Sequence, residues 1–410
     1  SLLTRFGIFE AGMASANDPK YTVVPQRERV RARLEETLTL LESGDPSDDP
    51  LVAHLRDCDT KELALRVRRL RAAVADFDTA TIATIHQFCH YVLRGLGVAG
   101  DSDPGATLAE DLADLQEDVI DDLFLATHLA DPSGTPAHDV VRKDSRHALA
   151  NPGAVLHPHN AAGALGPRLA LVRRVLEEFR RRKRRASVLS YDDLLEQLAA
   201  ALEDEHGPAR QRMRDRWSVV LVDEFQDTDP IQWEILRVAF HGHSALTFIG
   251  DPKQAIYAFR GADVVSYLQA VDSAGTKSGL GTNWRSDEPL VRALEKIFNG
   301  AALGDEKIVV PPVASAHPQR RLVGAPRPAP FRLRVLPREG LRSTWKSSLP
   351  IVGGVREKVA ADLAADIAEL VAADSRWEEA GRLDPTLGPG DIAVLVRTNA
   401  NANLVREALT

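Results

Sequence analysis

Apolar residues recur every three or four positions in several segments of the chain. In residues 25–45 four of them share one helical face, and Gly44 marks the end of the pattern. The same spacing predicts further helices over residues 61–77, 86–96, 107–125, 359–373 and 401–409. Residues 168–202 predict two helices around a run of arginines, whereas residues 131–167, with five Pro and four Gly, predict irregular connections. The first part of the chain is therefore expected to be mainly helical.

A different pattern begins near Trp217. The apolar runs at residues 218–224 and 244–251 each end in turn residues and are followed by a helical pattern. This alternation is typical of βαβ units and a parallel sheet, so we predict an α/β fold. Further strands are predicted at residues 80–83, 330–337 and 391–397, and a loop or boundary at residues 311–330, where six of twenty residues are Pro.

Length and composition limit the class of protein. The chain has 410 residues, of which 44% are hydrophobic and 27% charged, as in a water-soluble protein of two or three domains. It contains no long uncharged apolar stretch and no secretory signal pattern, so no membrane association is expected. The two cysteines exclude a disulfide framework and a cysteine-based zinc site. We expect a cytoplasmic protein.

The charge is unevenly distributed. The net charge of −8 argues against a general nucleic-acid coat. However, residues 168–190 hold nine Arg and Lys against two Glu, a local charge of +7. This segment, which we call the basic island, can bind a polyanion locally or form a solvated helix face.

The sharpest chemical feature is the adjacent pair Asp223–Glu224 at the end of the predicted strand 218–224. Ligands bind beyond the carboxyl ends of strands in open α/β sheets. One carboxylate can hold a nucleotide-bound Mg²⁺, and the other can activate a water that attacks the γ-phosphate. The alternative is that the pair only caps the following helix.

A second cluster follows the predicted strand 244–251. Gln254 can sense a terminal phosphate through its amide. Tyr257, Phe259 and Arg260 can stack on unpaired bases without reading their sequence. The alternative for the two aromatic residues is a place in the core at the start of a helix.

Two weaker features lie elsewhere. Arg285, beside Trp284, suits a phosphate contact, although it can equally be a surface arginine. Thr84 and His86 can contact a backbone phosphate, but Thr84 can instead cap a helix that buries Phe88.

These segments, in this order, resemble the motifs of superfamily 1 DNA helicases of the UvrD/Rep type. DEFQDT (223–228) is similar to their Walker B motif, GDPKQAIYAFRGAD (250–263) to motif III, NWRS (283–286) to motif IV and TIHQFC (84–89) to motif Ib. They look most like the RecB-type members, which act as helicase–nuclease subunits. LSYDDLL (189–195) and RTNANANLVREAL (397–409) also match this pattern.

The resemblance implies a role for each matching residue. Asp223 would hold Mg²⁺, Glu224 would activate the water, and Gln254 and Arg285 would contact the γ-phosphate of ATP. The implied DNA contacts are Tyr257, Phe259 and Arg260 on single-stranded DNA, Thr84, His86 and Phe88 along the DNA path, and Arg181, Arg182 and Lys183 in the basic island.

The resemblance also implies a domain plan and an activity. Residues 1–90 and 215–280 would form a RecA-like domain 1A, residues 91–214 a helical insertion 1B, and residues 281–410 the start of a second RecA-like domain 2A. The implied activity is ATP-dependent 3′→5′ translocation and unwinding in double-strand-break repair. The implied partners are single-stranded DNA, duplex DNA ends, and RecC- and RecD-like subunits.

Parts of the family pattern have no counterpart in the 410 residues. The phosphate-binding loop GxxxxGK[ST], motifs V and VI and the nuclease domain are not found. We therefore expect a fragment of a longer subunit or a truncated gene product, and negligible ATP hydrolysis by the chain alone. The alternatives are a UvrD-like or AddA-like helicase, or a non-catalytic DNA-binding or assembly module.

Overall fold

The computed structural model divides the chain into two compact units, residues 1–275 and 276–410. The structure describes residues 6–10, 19–97, 105–109, 111–151, 156–158, 163, 165–256, 263–339, 341, 343–344, 347–379 and 382–410.

A four-stranded parallel sheet forms the centre of the first unit, which confirms the α/β prediction. Its strands, in spatial order, are β2 (Thr81–Thr84), β1 (Phe6–Glu10), β5 (Val219–Asp223) and β6 (Ala245–Phe248). β1 lies between β2 and β5, with Ile8 opposite both Ile82 and Leu221. Because all strands are parallel, their carboxyl ends share one edge of the sheet.

Eleven helices are described in this unit. They are α1 (Pro19–Ser43), α2 (Pro50–Arg56), α3 (Thr60–Ala75), α4 (Ile85–Leu96), α5 (Ala113–Ala130), α6 (His138–Leu149), α7 (Leu165–Arg185), α8 (Tyr191–Ala201), α9 (Pro208–Arg216), α10 (Pro230–Phe240) and α11 (Val264–Ser273). The predicted helices 25–45, 61–77 and 86–96 are confirmed, as are the two around the basic island.

The main core joins β5 to five helices, α4, α8, α9, α10 and α11. Phe88 of α4 is fully buried and meets Trp217 edge to face at a ring-centroid distance of 5.0 Å. Alternate residues Val220 and Val222 of β5 are also fully buried. Burial of such side chains contributes roughly 1.5–3 kcal/mol each, which fixes the position of β5 and of the residues at its end.

Helices α5, α6 and α7 form a separate cluster with its own apolar core around Val119, Val141 and Val175. Its connections to the rest of the unit are two short parallel strands, β3 (Thr107–Leu108) and β4 (Val188–Leu189), which pair with each other. The predicted helix 107–125 is thus partly wrong, because residues 107–108 form β3 and the helix covers Ala113–Ala130.

The prediction of irregular structure over residues 131–167 is wrong at α6. This helix buries Val141, Ser145 and Ala148, which follow one another at helical spacing. Two of the three are small or polar, so the hydrophobic pattern is weak and the neighbouring Pro and Gly residues dominate the sequence signal.

Three small sheets and three helices are described in the second unit. β7 (Thr282–Asp287) pairs in parallel with β8 (Ala314–His317), and β10 (Ser343–Thr344) pairs with β11 (Ser347–Pro350). An antiparallel sheet has the order β13 (Arg382–Thr386), β12 (Arg376–Glu379), β9 (Leu322–Val323). The helices are α12 (Glu288–Phe298), α13 (Val352–Ala372) and α14 (Asn399–Leu409).

Two predicted strands of this unit are wrong. Residues 330–337 follow an irregular path on which Arg332 and Arg334 form ion pairs with Asp366 and Asp362 of α13. Arginines, not apolar side chains, therefore face the helix, and Leu333 is 79% exposed.

Residues 391–397 are also irregular after a single 3₁₀ turn, and Leu395 is 97% exposed. An apolar run forms a buried strand only beside a neighbouring strand, and the described residues supply none here. The proline-rich segment 311–330, predicted as a loop, contains the short strands β8 and β9 between its prolines.

Among the helices that the structure describes, none combines the length and apolar character needed to cross a bilayer.

Candidate functional site

The candidate site begins where β5 ends. Asp223 is the last residue of the strand, and Glu224 adopts a left-handed conformation with φ 50° and ψ 40°. The chain then forms one 3₁₀ turn over Phe225–Asp227. Phe225 is fully buried and stacks on Phe248 of β6 at a centroid distance of 4.1 Å. This packing holds the strained turn, because a left-handed non-glycine residue costs roughly 1–3 kcal/mol.

Asp223 is a half-buried carboxylate. Its Oδ1 accepts a hydrogen bond from the backbone N–H of Glu224 at 3.0 Å, and the Gln26 amide donates to its Oδ2 at 3.4 Å. Burial raises the pKa of Asp223, and the neighbouring Glu224 charge adds to this, while Arg29 partly offsets it. A cation at this position would stabilise the charged form of Asp223.

Two further carboxylates flank Asp223. Glu224 is exposed, and its Oε2 accepts a hydrogen bond from the Gln226 amide at 2.7 Å. Burial raises the pKa of Asp227 to about 6, with a contribution from the Glu224 charge. The Asp227 Oδ1 has no hydrogen-bond partner among the described residues. The end of β5 thus concentrates negative charge, which Arg29 offsets only in part.

Gln254 lies in a second turn, which is distant from the first in the sequence but follows the neighbouring strand β6. It ends a 3₁₀ turn, Pro252–Gln254, that follows β6, and its amide donates to Asp251 Oδ2 at 3.2 Å. Since β5 and β6 are parallel neighbours, both turns lie at the carboxyl edge of the sheet. The structure therefore brings Asp223, Glu224 and Gln254 to one edge.

The sequence interpretation missed Gln226, which joins the two turns. This residue is 1% exposed; its Nε2 donates to Glu224, and its Oε1 accepts the N–H of Asp251 at 3.0 Å. The sequence did offer a signal. Gln226 is an amide between the acids Glu224 and Asp227, and Gly250 comes just before the turn that follows β6.

Arg285 belongs to the second unit. It is exposed at the middle of β7, next to Trp284, which is 76% exposed. Its backbone N–H binds the Asn283 side chain at 2.9 Å, and its carbonyl accepts a hydrogen bond from Arg321. The proposed base-stacking residues Tyr257, Phe259 and Arg260 lie outside the described residues.

Thr84, His86 and Phe88 are all buried, at 1%, 1% and 0% exposure. Thr84 caps α4 in a reciprocal pair with Gln87, as the alternative interpretation states. Burial lowers the pKa of His86 to about 4, and its ring meets Tyr191 edge to face at 5.1 Å. The expectation that these three side chains contact DNA stays a prediction, and in this structure all three are buried.

Acids of the same unit pair with part of the basic island, namely Arg168, Arg181, Arg182 and Lys183. Lys183 is 7% exposed, and its Nζ lies 2.7 Å from both carboxylate oxygens of Asp193. Arg182 binds Asp122 at 2.6 Å and Glu178 at 3.0 Å, and Arg181 also pairs with Glu178. The DNA contact expected of Lys183 stays a prediction, and in this structure its ammonium group is buried against a carboxylate.

Five arginines of the island are exposed, namely Arg174, Arg180, Arg181, Arg184 and Arg185. Arg184 and Arg185 end α7 and form no ion pair within the part of the chain that the structure describes. Like Arg174 and Arg180, which are also exposed and outside the ion pairs of the described residues, they are placed to meet a polyanion, although the sequence interpretation selected their neighbours.

The site fits a magnesium ion that arrives with a nucleotide. The described residues hold no group of three or more His, Cys, Asp or Glu that could bind a metal by themselves. Mg²⁺, however, is commonly held by one or two carboxylates, with waters and substrate phosphates completing its shell. Asp223, with its pKa raised by burial, provides one such carboxylate.

Comparison with known proteins gives two findings. Residues 27–274 match the family model of the UvrD/REP helicase N-terminal domain. The chain is also similar to the RecBCD enzyme subunit RecB of Mycolicibacterium smegmatis (46% identity over 93% of this chain and 34% of the relative). The corresponding subunits of Mycobacterium tuberculosis H37Rv and Escherichia coli K12 are 45% and 37% identical over 93% and 61% of this chain, and 35% and 22% of their own lengths. The chain thus spans about a third of the length of its mycobacterial relatives.

Proposed function

The chain belongs to the UvrD/REP helicase family, and from this premise we propose that it forms part of the motor of a RecB-like DNA helicase. The proposed activity is ATP-driven 3′→5′ movement along DNA, used in the repair of double-strand breaks. The proposed partners of the whole protein are single-stranded DNA, duplex DNA ends, and RecC- and RecD-like subunits.

One observation supports this proposal above all. Asp223, Glu224 and Gln254 meet at the carboxyl edge of two neighbouring parallel strands, where nucleotides bind in open α/β folds. Family membership alone does not give a site, whereas an acid pair and an amide at one sheet edge support a site for phosphoryl transfer.

We assign Asp223 to Mg²⁺, which when bound to ATP offsets the negative charge of the phosphates. Glu224 is exposed at the end of the strand and would orient and deprotonate the attacking water. Gln254, in the turn after β6, would contact the γ-phosphate, and the family resemblance assigns a γ-phosphate contact to Arg285 as well.

The proposed DNA contacts are Tyr257, Phe259 and Arg260, with Arg184 and Arg185 as additional phosphate contacts. Thr84, His86 and Phe88 would act as support for the start of α4, because their side chains are buried. The assignment of residues 1–90 and 215–280 to domain 1A, 91–214 to 1B and 281–410 to the start of 2A is part of the same proposal.

ATP hydrolysis and unwinding provide the test. The longest gene product that contains these 410 residues should hydrolyse ATP with Mg²⁺ only when single-stranded DNA is added, and should unwind a duplex with a 3′ tail. The 410-residue chain alone should hydrolyse ATP negligibly. Substitution of Tyr257 and Phe259 by Ala should abolish the salt-dependent binding of single-stranded DNA.

The outcomes separate the alternatives. A product that binds single-stranded DNA but neither binds nor hydrolyses ATP would contradict a motor and support a non-catalytic DNA-binding module. A product that unwinds DNA without RecC- and RecD-like subunits would support a UvrD-like or AddA-like helicase.

A further inference from the structure

The side chain of Gln226 lies between the two turns of the candidate site. It comes two residues after Glu224 and is 1% exposed. Its Nε2 donates to Glu224 Oε2 at 2.7 Å, and its Oε1 accepts from the N–H of Asp251 at 3.0 Å. Both ends of one carboxamide are thus used, one on each turn.

Only an amide satisfies both contacts. The Glu224 carboxylate accepts hydrogen bonds and cannot donate, whereas the backbone N–H of Asp251 donates and cannot accept. A glutamate at position 226 would face another carboxylate, and an apolar side chain would leave the Asp251 N–H without its partner. The orientation of the amide is fixed by the same reasoning.

The contact continues to the proposed phosphate sensor. The backbone N–H of Asp251 donates to Gln226 Oε1, and the Asp251 carboxylate accepts from Gln254 Nε2 at 3.2 Å and from Lys253 Nζ at 2.6 Å. A continuous path of hydrogen bonds therefore runs from Glu224 through Gln226 and Asp251 to Gln254.

Gly250 makes the close approach possible. A Cβ atom at this position would lie 2.7 Å from Gln226 Oε1 and 3.1 Å from the backbone nitrogen of Phe225. The two turns are also joined by the hydrogen bond from the Phe225 N–H to the Ile249 carbonyl, at 2.9 Å. There is no space between them for a side chain other than that of Gln226.

We propose that Gln226 is a positioning residue that couples the phosphate-contacting turn at Gln254 to the carboxylate of Glu224. Movement of the 250–254 turn is transmitted to Glu224 because Gln226 holds both. Glu224 needs this support, since its left-handed backbone is strained and its side chain is otherwise exposed. The inference rests on the proposed function, because it assumes that Gln254 and Glu224 act on the same nucleotide.

The first experiment requires no nucleotide. Gln226→Met keeps the size of the side chain but removes both hydrogen bonds. Gln232→Met is its matched control, because Gln232 is also a buried glutamine (2% exposed) and has no side-chain hydrogen bond to either turn. In the 410-residue chain, Gln226→Met should speed amide hydrogen exchange of residues 249–254 by about tenfold. Gln232→Met should leave exchange there unchanged, and equal effects of the two variants would overturn the inference.

The second experiment uses the longest gene product with single-stranded DNA. Gln226→Met should lower kcat for ATP roughly ten- to hundredfold, with the KM for ATP changed less than about twofold. Gly250→Ala should do the same, because the added methyl group displaces the Gln226 amide. The double variant Gln226→Met, Gln254→Ala should have a kcat little lower than that of either single variant, because both substitutions interrupt the same path of hydrogen bonds.

Two failures can be distinguished. If the unaltered protein does not hydrolyse ATP, the proposed function is refuted, and this role of Gln226 with it. If it does hydrolyse ATP, but Gln226→Met matches Gln232→Met or its effect adds fully to that of Gln254→Ala, the coupling role alone is refuted.

Discussion

The carboxyl edge of the central sheet and the helix α7 are both dense in charge, but they treat that charge in opposite ways. At the sheet edge, burial raises the pKa of Asp223, Asp227 and Asp229, with Asp227 and Asp229 reaching about 6. In the helical cluster, hydrogen bonds from Arg181 and Arg182 lower the pKa of Glu178. At the sheet edge, burial disfavours the charged form of the carboxylates. In the helical cluster, neighbouring arginines stabilise the charged form of Glu178.

This difference identifies a functional region better than charge density does. The sequence gives the basic island a net charge of +7, yet acids from α5, α7 and α8 pair with its central residues. The edge of the sheet has fewer charged residues. Asp251 there pairs with Lys253, whereas Asp227 and Asp229 form no ion pair with Lys or Arg among the described residues. A bound cation or a reacting group would supply what these carboxylates lack.

The strongest test of this contrast is Glu224→Gln in the longest gene product. We expect DNA-stimulated ATP hydrolysis to fall about 10²- to 10⁴-fold, because the amide cannot accept a proton from water. ATP binding, measured by equilibrium titration, should persist. Glu234→Gln is the matched control, because Glu234 is an exposed acid of α10 whose partner is Arg237. Comparable losses in both variants would remove the distinction between the sheet edge and an ordinary surface acid.

The second test addresses the charge buried in the helical cluster. Lys183→Met should reduce the free energy of unfolding by about 3 kcal/mol, because it leaves Asp193 without its cation. Urea unfolding of the 410-residue chain would measure this. Arg184→Met, at the exposed neighbouring position, should change stability by less than about 0.5 kcal/mol. Weaker binding of single-stranded DNA by Lys183→Met at unchanged stability would instead restore Lys183 as a DNA contact.

The third test uses pH. The pKa of Asp229 is raised from 3.8 to about 6 by burial and by the charge of Asp192, so the folded state holds its proton more tightly than the unfolded state. Stability from this group is present below pH 4 and is lost as pH rises to about 6. Asp229→Asn retains the helix cap but removes the buried charge, so it should raise stability at pH 7 by about 2 kcal/mol. Urea unfolding at pH 5, 6 and 7 would check this.

Glu178 should show the opposite dependence. Because its pKa is lowered in the folded state, its contribution is present above about pH 4.5 and is lost as pH falls. Glu178→Gln should therefore destabilise the protein at pH 7 and have little effect at pH 3. Equal pH dependence of the two variants would contradict the contrast between the regions.

The smallest expected effect concerns the two exposed arginines at the end of α7. Arg184→Ala together with Arg185→Ala should reduce the slope of log K against log salt for single-stranded DNA by about 1.4, with an affinity loss of roughly tenfold. Arg181→Ala should have less effect, because Arg181 is already paired with Glu178. Binding titrations at several salt concentrations would separate the two variants, and equal slopes would refute this assignment.

The sequence predicted those parts of the fold that depend on local pattern. The apolar runs that form β5 and β6, and the cap of α4 by Thr84, are short-range features and are confirmed. The strand predicted at residues 391–397 failed because a strand depends on a neighbour that the segment itself does not specify. Helix α6 was missed because its buried face includes Ser145 and Ala148, which give little hydrophobic signal.

The candidate site shows the same limit. Asp223 and Glu224 could be selected because adjacent acids after an apolar run are visible in the sequence. The role of Gln226 could not, because its second partner, Asp251, is 25 residues away on another turn. Likewise, the burial of Lys183 depends on Asp193 of the next helix, so a count of arginines and lysines overestimates the charge available to DNA.

Because β3 pairs with β4, the helical cluster of α5, α6 and α7 is an insertion that could be replaced without altering the rest of the unit. Thr107 lies opposite Val188 in neighbouring strands, so the chain leaves and returns at points roughly 5 Å apart. Because the two strands are parallel, a linker in place of residues 109–187 would have to cross back over the pair and would need roughly a dozen residues. The remaining sheet would then keep its main core, which draws none of its buried residues from α5, α6 or α7. A foreign domain whose termini lie close together could be inserted between β3 and β4 in the same way. Insertions of very different size could thus be exchanged at this point without changing the sheet that carries the acid pair.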